Sequence, residues 1–410
     1  MKILVVNAGS SSLKYQVLEP ETGTLFAKGI CEAIGNTAAS MITHQQVIKD
    51  IKIKDQPYPM ENHAVALKLV VEKLLDKEVG CIDSMDEIEA VGHRVVHGGA
   101  FFSESMLLTD EVLEKLKLCH DFAPLHTPAH IQGIQGCLAV MPDKPQVLVF
   151  DTAFHQSMAP EAYVYALPYE LYEKYGVRRY GAHGTSHRFV AGEMCKILGR
   201  TEGTKIVTCH IGNGSSISAV KDGKVVDTSM GFTPLAGVEM GTRCGDIDPA
   251  IVPFMMEKLG LDGAGVNNLM NKKSGFLGIS GFSSDSRDLE NAIANGPSDP
   301  NYERANLAVN ILKFQLKKYI GAYTAAMNGL DAVVFTAGIG ENNPHLREIV
   351  CEDMEYFGIK INKELNAKTL RQPNIVKLST DDSKVAVYLI PTNEELVIAR
   401  DTAAIVSADK

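Results

Sequence analysis

Two short segments of the chain could bind an anion such as phosphate through a turn rich in glycine and serine. Residues 2–17 read KILVVNAGSSSLKYQV, and residues 205–220 read KIVTCHIGNGSSISAV. In each segment an apolar run typical of a β-strand ends at one polar residue, Asn7 or His210, before the turn and a second alternating run. Successive backbone N–H groups in such a turn attract anions, and small side chains let oxygen atoms approach closely. One copy would be typical of a hairpin tip, but two copies favour a ligand-binding role.

These turns differ from the phosphate loops of Walker and dinucleotide-binding motifs, in which the glycines lie between a strand and a helix. Both turns here lie between two predicted strands. A third glycine-containing segment, TAGIGENN at residues 336–343, follows a predicted buried strand. We interpret this segment as a loop in which Gly338 and Gly340 could pack beneath a nucleotide.

Two charged residues interrupt or end apolar runs that predict buried strands. Arg94 lies inside HRVVHGG at residues 93–99, and Asp151 ends the run PQVLVFD. In an α/β sheet ligands bind at the carboxyl ends of the strands, so an acid at that position is a candidate functional residue. Arg94 has two interpretations: a solvent-facing residue on an edge strand, or a binding residue beside the histidines and the Gly-Gly turn around it. We favour the second.

Three histidine pairs, 93/97, 126/130 and 183/187, have the H-x-x-x-H spacing of some zinc sites. None has the glutamate of the H-E-x-x-H motif, and two occur in strand or proline-rich context. The sequence therefore does not favour a zinc site.

Two further segments have the composition of functional loops. Residues 231–249 are rich in glycine and sparse in charge until Arg243, which is typical of a loop with a functional role. In SDSRDL, which begins at Ser284, either Ser284 or Asp285 could cap a helix. Arg287 could contact either solvent or a nucleotide, and the sequence leaves both interpretations open.

The surrounding pattern predicts the elements that would position these residues. Each glycine turn begins a set of three hairpin-linked strands, with the turn signal PETG in the first copy and KDG in the second. Two halves that begin alike predict a duplicated α/β domain whose ligand is held by both turns. Helical spacing of apolar residues is present at 63–76 and, as the longest predicted helix, at 304–327.

Two more predicted helices have candidate starting residues. The apolar-periodic run RFVAGEMCKILG follows Thr185 and Ser186, either of which could be its cap. Near the C-terminus the pattern predicts a strand, a cap and a helix with Glu394 and Glu395 in its first turn. Carboxylates at that position favour the helix dipole, so a purely structural role is one interpretation of these two acids.

The composition limits the class of protein. With 410 residues, of which 45% are hydrophobic and 22% charged, the chain is long enough for two or three globular domains. The formal net charge of −10 argues against a nucleic-acid-binding surface. The eight cysteines are scattered without C-x-x-C pairs, and no apolar run suits a signal peptide or a membrane span. We therefore expect a cytoplasmic protein with no membrane or nucleic-acid partner.

Eight motifs in this order closely resemble the acetate kinase family and together extend over effectively the whole chain. They are NAGSSSLK, GHRVVHGG, FDTAFH, YGAHGTSH, HIGNGSS, GFTPLAGVEMGTRCGDIDP, GIGEN and PTNEEL. The resemblance implies an α/β fold of two duplicated ribonuclease H-like domains, the actin-like ATPase fold, with the nucleotide in the interdomain cleft. It also implies an N-terminal domain on the acetate and Mg²⁺ side, formed by residues 1–153 plus 390–410 with a returning C-terminal helix. Residues 154–389 would form the nucleotide-binding domain.

The resemblance implies reversible, Mg²⁺-dependent, direct transfer of the γ-phosphoryl group of ATP to acetate, giving acetyl phosphate and ADP, in a homodimer. Mn²⁺ is an expected substitute for Mg²⁺, and the metal would be bound near Asn7 and Glu394. The residues implied for catalysis are Asp151, His183 and Arg243. Those implied for acetate are Arg94 at the carboxylate and Val96, Leu125 and Pro234 around the methyl group. Those implied for ATP are Lys14, His210, Ile211, Gly212, Asn213, Gly214, Asp285, Ser286, Arg287, Gly338, Ile339, Gly340, Glu341 and Asn342.

The role of Asp151 needs a separate argument, because related enzymes often use such an acid as a proton acceptor. A carboxylic acid with a pKa of about 4 to 5 is already ionised at pH 7. We therefore expect Asp151 to orient Arg94 or a metal-bound water rather than to remove a proton. Ala100 and Ala182 depart from the residues expected at these positions in the family, which leaves the preferred acyl-chain length open.

Three alternative functions remain at this point. A propionate or butyrate kinase differs by methylene groups that are each worth only about 1–3 kcal/mol in an apolar pocket, although Val96 in the pocket favours acetate. A kinase that uses pyrophosphate is a second alternative, but the small residues of GIGEN leave room for adenine. A nucleotide-switched module like actin is the third, and it would need no carboxylate-binding arginine such as Arg94.

Overall fold

The structure, a computed structural model, describes residues 1–124 and 126–408 of the chain. The predicted pocket residue Leu125 therefore lies outside the described residues. The chain divides into two compact units, Met1–Phe154 with Asn393–Lys410, and His155–Thr392. Each unit contains one mixed β-sheet, which confirms the α/β class expected from the sequence. Within the described ranges, no helix combines the length and the apolar character that crossing a membrane requires.

The first unit contains eight described strands, Lys2–Ala8 (β1), Leu13–Glu19 (β2), Thr24–Glu32 (β3), Met41–Gln46 (β4), Ile51–Pro57 (β5), Ile88–Val95 (β6), Met106–Leu107 (β7) and Gln146–Phe150 (β8). They form one sheet in the order β5-β4-β3-β2-β1-β6-β8-β7. Strands β1 to β5 are consecutive antiparallel hairpins, whereas β1, β6 and β8 run parallel. The carboxyl ends of β1, β6 and β8 therefore meet at one edge of the sheet.

The second unit contains six described strands, Lys205–Ile211 (β9), Ser215–Lys221 (β10), Lys224–Thr228 (β11), Ala332–Thr336 (β12), Val376–Lys377 (β13) and Ala386–Leu389 (β14). Their order is β11-β10-β9-β12-β14-β13. Within the first sheet, β3-β2-β1-β6-β8-β7 has the same order and the same strand directions. The predicted duplication, with three hairpin-linked strands at the start of each half, is confirmed.

The described helices of the first unit are His63–Leu75 (α1), Asp110–Leu118 (α2), Thr127–Val140 (α3) and, after the second unit, Glu394–Ala408 (α15). Those of the second unit are Pro160–Tyr163 (α4), Glu170–Tyr175 (α5), Gly184–Leu198 (α6), Ile251–Leu259 (α7), Gly263–Lys272 (α8), Gly275–Ser280 (α9), Ser286–Ala294 (α10), Tyr302–Met327 (α11), Ala337–Asn342 (α12), Pro344–Cys351 (α13) and Lys363–Lys368 (α14). Short 3₁₀ helices lie at Met85–Glu87, His120–Phe122, Ala153–Ser157 and Glu355–Phe357.

Strand β1 is buried on both faces, as expected for a strand at the centre of an α/β sheet. Leu4 and Val6 belong to one apolar cluster, together with residues of α1. Ile3 and Val5, which alternate with them, pack in a second cluster with Ile398 of α15. The sheet of the first unit is therefore covered by α1 on one face and by the C-terminal helix on the other.

Two predictions of local structure were wrong. The TAGIGENN segment is not a loop, because residues 337–342 form α12, and the Glu341 carboxylate accepts a hydrogen bond from the Ala337 N–H at the start of that helix. Neither Thr185 nor Ser186 caps α6, which already begins after His183. In α12, the Glu341 side chain thus stabilises the first helical turn of a segment whose glycines predict a loop.

Gly92 in β6 lies where the C-terminal helix packs on the sheet. A Cβ atom at this position would be 2.4 Å from Thr402 Oγ1 and 2.7 Å from Ile398 Cγ2 of α15. Both partners are fully buried. Because Gly92 lies two residues before Arg94 and α15 begins at Glu394, its missing side chain lets the helix that carries Glu394 approach the strand that carries Arg94.

Replacement of Gly92 by alanine should therefore separate α15 from β6. We expect Gly92→Ala to lower the free energy of unfolding by about 1–3 kcal/mol, the usual cost of overpacking a core, and to lower the melting temperature measured by circular dichroism. Gly192→Ala is the matched control, because a Cβ atom on this exposed glycine of α6 would have no neighbour within 4 Å. The control should be neutral or more stable by up to about 1 kcal/mol. Equal melting temperatures for both variants would contradict the packing argument.

Candidate active site

In the first unit Arg94 and Asp151 form an ion pair at the carboxyl edge of the sheet. Arg94 is the last residue but one of β6, and Asp151 directly follows β8, its parallel neighbour. Arg94 Nη2 and Nε lie 2.7 and 3.1 Å from Asp151 Oδ2. Strand β6 lies between β1 and β8, so the interpretation of Arg94 as a solvent-facing residue on an edge strand is wrong. The hydrogen bonds to Asp151 use Nε and Nη2 of Arg94, and Nη1 takes no part in this pair.

Glu394 places a second acid beside the same guanidinium. It is the first residue of α15, as predicted, and its carboxylate lies 3.8 Å from Arg94 Nε. Burial raises the pKa of Glu394 to about 7, helped by the charges of Asp151 and Glu395 and opposed by those of Arg94 and Lys14. Two acids, Asp151 and Glu394, therefore lie beside the single positive charge of Arg94.

Arg94 itself stays positively charged. Burial lowers the pKa of this guanidinium, but the nearby carboxylates of Asp151 and Glu394 outweigh burial and raise the pKa above its ordinary value. Asp151 is almost completely buried, with 1% of its surface exposed. Burial of a carboxylate is costly unless a cation is paired with it, so the pair acts as one fixed unit.

Asn7 and Lys14 occupy neighbouring positions on β1 and β2, and the two residues are directly paired in the antiparallel ladder. With Glu395 they line a cavity of about 250 Å³. Asn7 is half-buried and Lys14 is exposed. The strand end therefore offers an amide oxygen and an ammonium group beside the start of α15.

In the second unit, His183 precedes α6 and is held by hydrogen bonds. Its backbone is in the left-handed region, with φ of 58°. Its Nδ1 lies 2.9 Å from Ser216 Oγ, and the same hydroxyl lies 2.7 Å from His187 Nε2. The His183 ring stacks on His210 at 4.1 Å between centroids. Burial holds the pKa of His187 well below its ordinary value, so a neutral histidine supports the network.

The second glycine turn lies against both His183 and Arg243. A Cβ atom on Gly214 would be 3.4 Å from Arg243 Nη1 and 3.6 Å from His183 Nε2. Arg243 Nη1 donates to the Pro234 carbonyl at 3.1 Å. The structure thus brings His183 and Gly214 together with Pro234 and Arg243 of the loop at residues 231–249.

Arg243 lacks a carboxylate partner among the described residues, although it is half-buried and burial lowers the pKa of its guanidinium. The loop that carries it is fixed by Asp246, which accepts a hydrogen bond from the Gly237 N–H at 2.8 Å and one from the Tyr319 hydroxyl. A guanidinium held in this way without a counter-charge is a binding group for an anion.

The remaining nucleotide candidates form a continuous surface with the turn. A Cβ atom on Gly340 would lie 3.8 Å from Ile211 Cβ, and one on Gly212 would lie 3.9 Å from Ala337 Cβ. Helix α12 therefore packs against the second glycine turn. Gly338 is exposed, and a Cβ atom on it would have no neighbour within 4 Å, so space is open above this part of α12.

Asp285 and Arg287 lie at the start of α10. Asp285 is the N-cap of α10, and its side chain accepts a hydrogen bond from the Arg287 N–H at 3.0 Å. Of the two caps that the sequence offered, Ser284 and Asp285, the structure therefore has the second. The exposed Arg287 side chain forms an ion pair with Asp285. The Asn343 side chain after α12 donates to Glu290 of α10 at 2.6 Å, so α10 and α12 are neighbours. The nucleotide candidates of the second unit are thus contiguous.

Ser216 is the residue of this network that the sequence did not single out. The second copy of the turn, GNGSS, contains two adjacent serines, and no pattern distinguishes the one that contacts both His183 and His187. Its partners could be assigned only from the fold, because α6 and β10 are far apart in the chain.

Comparison with known proteins gives one consistent result. The model of the acetokinase family matches residues 2–400. The acetate kinase of Thermoanaerobacter pseudethanolicus is 55% identical over 411 residues that cover both chains completely, and that of Fusobacterium nucleatum is 56% identical over 98% of this chain and 99% of its own. Porphyromonas gingivalis acetate kinase has a TM-score of 0.93 at 47% identity, with 99% of each chain covered. A propionate kinase from Francisella tularensis has a TM-score of 0.89 at 39% identity, with 98% of this chain and 99% of that chain covered.

Glu239 is a buried acid in the same loop as Arg243. Only 2% of its surface is exposed, and neither carboxylate oxygen has a hydrogen-bond partner among the described residues. Burial raises the pKa of this carboxyl from 4.5 to about 8. At neutral pH the folded protein therefore holds a proton on Glu239 that the unfolded chain releases.

This proton predicts a pH dependence of stability. Between about pH 4.5 and 8 the unfolded chain binds fewer protons at this residue than the folded protein, so the free energy of unfolding should fall as pH rises, by at most about 1.4 kcal/mol per pH unit. Glu239→Gln keeps the neutral shape and should lose this slope. Urea unfolding at pH 5, 6, 7 and 8 measures it, with Glu257→Gln, at an exposed glutamate, as the control. Parallel curves for wild type and Glu239→Gln would contradict the prediction.

Proposed function

The chain belongs to the acetokinase family, and we infer from this membership that it phosphorylates the carboxyl group of acetate with ATP, giving acetyl phosphate and ADP. The observation that carries the assignment to particular residues is the Arg94–Asp151 pair at the carboxyl edge of the first sheet. It presents a permanent cation with an unused N–H face to an incoming carboxylate. Arginine binds carboxylates through two parallel hydrogen bonds, which suits acetate.

On the acceptor side, Arg94 would bind the acetate carboxylate, with Val96, Leu125 and Pro234 around the methyl group. Val96 lies two residues after Arg94, which supports its place beside the methyl group. One acetate oxygen attacks the γ-phosphorus while the bond to the ADP oxygen breaks. Acetate is already ionised, so this step needs no base, and Asp151 orients Arg94.

On the donor side, the half-buried cation of Arg243 and the fixed ring of His183 would stabilise the transferring phosphoryl group. Phosphoryl transfer depends mainly on positioning and on positive charge around the equatorial oxygens. The distances of Gly214 from both side chains support a phosphate position beside the second turn. The nucleotide would extend from there along α12 and α10, with Lys14 on its phosphates.

A divalent metal would neutralise the phosphates, and we propose Mg²⁺, with Mn²⁺ as a substitute. Asn7 and Glu394 offer only oxygen ligands, which Mg²⁺ prefers, and it commonly takes one or two protein ligands with water and substrate phosphates completing the shell. The described residues contain no group of three or more His, Cys, Asp and Glu side chains that could hold a metal alone. The donor set therefore fits a metal that arrives with the nucleotide.

The proposal extends to domains and compartment. We assign the acetate and metal residues to a domain of 1–153 plus 390–410 and the nucleotide residues to 154–389, and the two compact units support this division. A cytoplasmic location is supported by the eight cysteines, all of which are free thiols. A preference for propionate has less support, since eight curated acetate kinases are 52–56% identical to this chain, whereas the Francisella tularensis propionate kinase is 39% identical.

The assignment of the two arginines predicts distinct kinetic defects. Arg94→Ala should lower kcat/KM for acetate by about 100- to 1,000-fold, the range typical for loss of a charge-stabilising donor, with the KM for ATP nearly unchanged. Arg243→Ala should lower kcat by a similar factor. Acyl phosphate trapped with hydroxylamine measures the product from acetate, propionate and butyrate. Arg200→Ala, which removes a surface ion pair with Asp331, is the control and should keep full activity. Absence of acyl phosphate from every acid in the wild type would refute the function.

We also propose a homodimer formed through the second unit. Leu307 and Phe314, seven residues apart on one face of α11, are 54% and 69% exposed, and Tyr356 is 93% exposed. Such large exposed apolar side chains are typical of an interface with another chain.

Introduction of charge on this face should dissociate the dimer. Phe314→Asp should shift the mass measured by light scattering from two chains towards one, because an aspartate would be buried without a partner at the interface. Ile48→Asp replaces an equally exposed apolar residue of the first unit, which is 62% exposed, and should leave the mass unchanged. A monomeric wild type, or a dimeric Phe314→Asp variant, would exclude this interface.

A further inference from the structure

We propose that His130 is a positioning residue that sets the width of the acyl pocket by holding the backbone of Val96, and that it thereby favours acetate over longer acids. The inference rests on the proposed function, because that function places Val96 beside the methyl group of acetate. No role was assigned to His130 by the motifs, in which it belongs only to one of the three histidine pairs. Four structural features support the proposal.

The first feature is a hydrogen bond to an amide that has no strand partner. The pairing of β6 with β8 ends at Val95, and the pairing of β6 with β1 ends at His93. The Val96 N–H is therefore beyond the ladder, and it donates to His130 Nε2 at 3.2 Å. A side chain thus replaces the strand partner at the residue that lines the pocket.

The second feature is the close packing of the helix that carries His130. A Cβ atom on Gly133 of α3 would lie 2.5 Å from Ala8 Cβ at the end of β1. Only glycine allows the helix to come this near to the strand. His130 lies one turn before Gly133, so the same approach brings its ring to the end of β6.

The third feature is burial, since only 3% of the His130 surface is exposed. A ring fixed in this way cannot move aside without repacking α3. The amide of Val96 is therefore tied to a rigid helix, whereas a bond to water would let the backbone shift.

The fourth feature is the protonation state that this bond requires. A histidine nitrogen accepts a hydrogen bond only when it is unprotonated. Burial lowers the pKa of His130 to about 3, and the neighbouring charges of His126 and Arg94 act in the same direction. Asp151 and a backbone contact with Ala8 oppose the shift without reversing it. Nε2 therefore remains an acceptor at every pH at which the enzyme would work.

The consequence concerns discrimination between acids. An apolar pocket distinguishes acids that differ by one methylene by about 10- to 200-fold, and a small displacement of its wall changes this ratio. Loss of the His130 bond frees the Val96 backbone and opens a cavity behind it. Propionate should gain relative to acetate, while nucleotide binding should not change.

The test compares kcat/KM for acetate and propionate in the wild type, His130→Ala, His130→Gln and Val96→Ala. We expect the acetate-to-propionate ratio to fall about 10-fold or more in His130→Ala, mainly through a higher KM for acetate, with an unchanged KM for ATP. His130→Gln retains an acceptor oxygen and should restore part of the ratio. Hydrogen exchange of the segment that contains Val96 should be faster in His130→Ala. His44→Gln is the control, because His44 is a buried histidine of the same unit, bonded to Tyr15 and to the Val79 carbonyl.

The outcomes separate the two levels of inference. Wild-type protein that phosphorylates neither acid would refute the proposed function itself. An active wild type whose ratio is unchanged in both His130 variants would overturn only the role of His130. The same holds if His44→Gln lowers the ratio equally, since that would indicate a general effect of destabilisation. If His130→Ala does not fold, His130→Gln decides the question through its own acetate-to-propionate ratio and through the ratio of the double variant with Val96→Ala. Two changes that act through one backbone position should not have additive effects on this ratio.

Discussion

The ion pair between Arg94 and Asp151 is the interaction on which the first half of the site depends. A carboxylate with 1% exposure is costly to bury, and removal of its partner would leave an uncompensated charge, which typically costs about 3–5 kcal/mol. The pair therefore fixes the ends of β6 and β8 relative to each other. It also fixes the direction in which the remaining N–H face of Arg94 points. The position of Glu394 depends in turn on Gly92, because only a residue without a side chain lets α15 approach β6 closely.

The duplication explains why each half of the chain has candidate site residues at the same edge of its own sheet. Both sheets have the same strand order, so the first strand of each half ends at the edge where parallel neighbours also end. In the first unit this position carries Asn7, and in the second it carries His210. The same geometry thus carries two different side chains, an amide in one copy and an aromatic ring stacked on His183 in the other.

The sequence was a good guide wherever local pattern decides structure. The strand-turn-strand repeats, Asp151 at a strand end, and Glu394 and Glu395 in the first turn of the last helix follow from periodicity and capping. It was a poor guide where distant residues decide. The two errors of local structure, α12 in a glycine-rich segment and the start of α6 after a left-handed His183, concern helices whose N-cap residues make no side-chain cap hydrogen bond. The contacts of Ser216 and His130 join elements far apart in the chain. Propensity contains no information about such partners.

The charged groups around Arg94 and around Arg243 differ in their balance. Around Arg94 in the first unit, the cations of Arg94 and Lys14 act with the acids Asp151, Glu394 and Glu395, so the negative groups are in excess. Burial is the main cause of the raised pKa of Glu394, and the charges of Asp151 and Glu395 add to it. In the second unit, by contrast, Arg243 has no carboxylate partner among the described residues. On the proposed assignment, a metal beside Glu394 would offset the excess of acids around Arg94, whereas Arg243 has no excess of acid to offset.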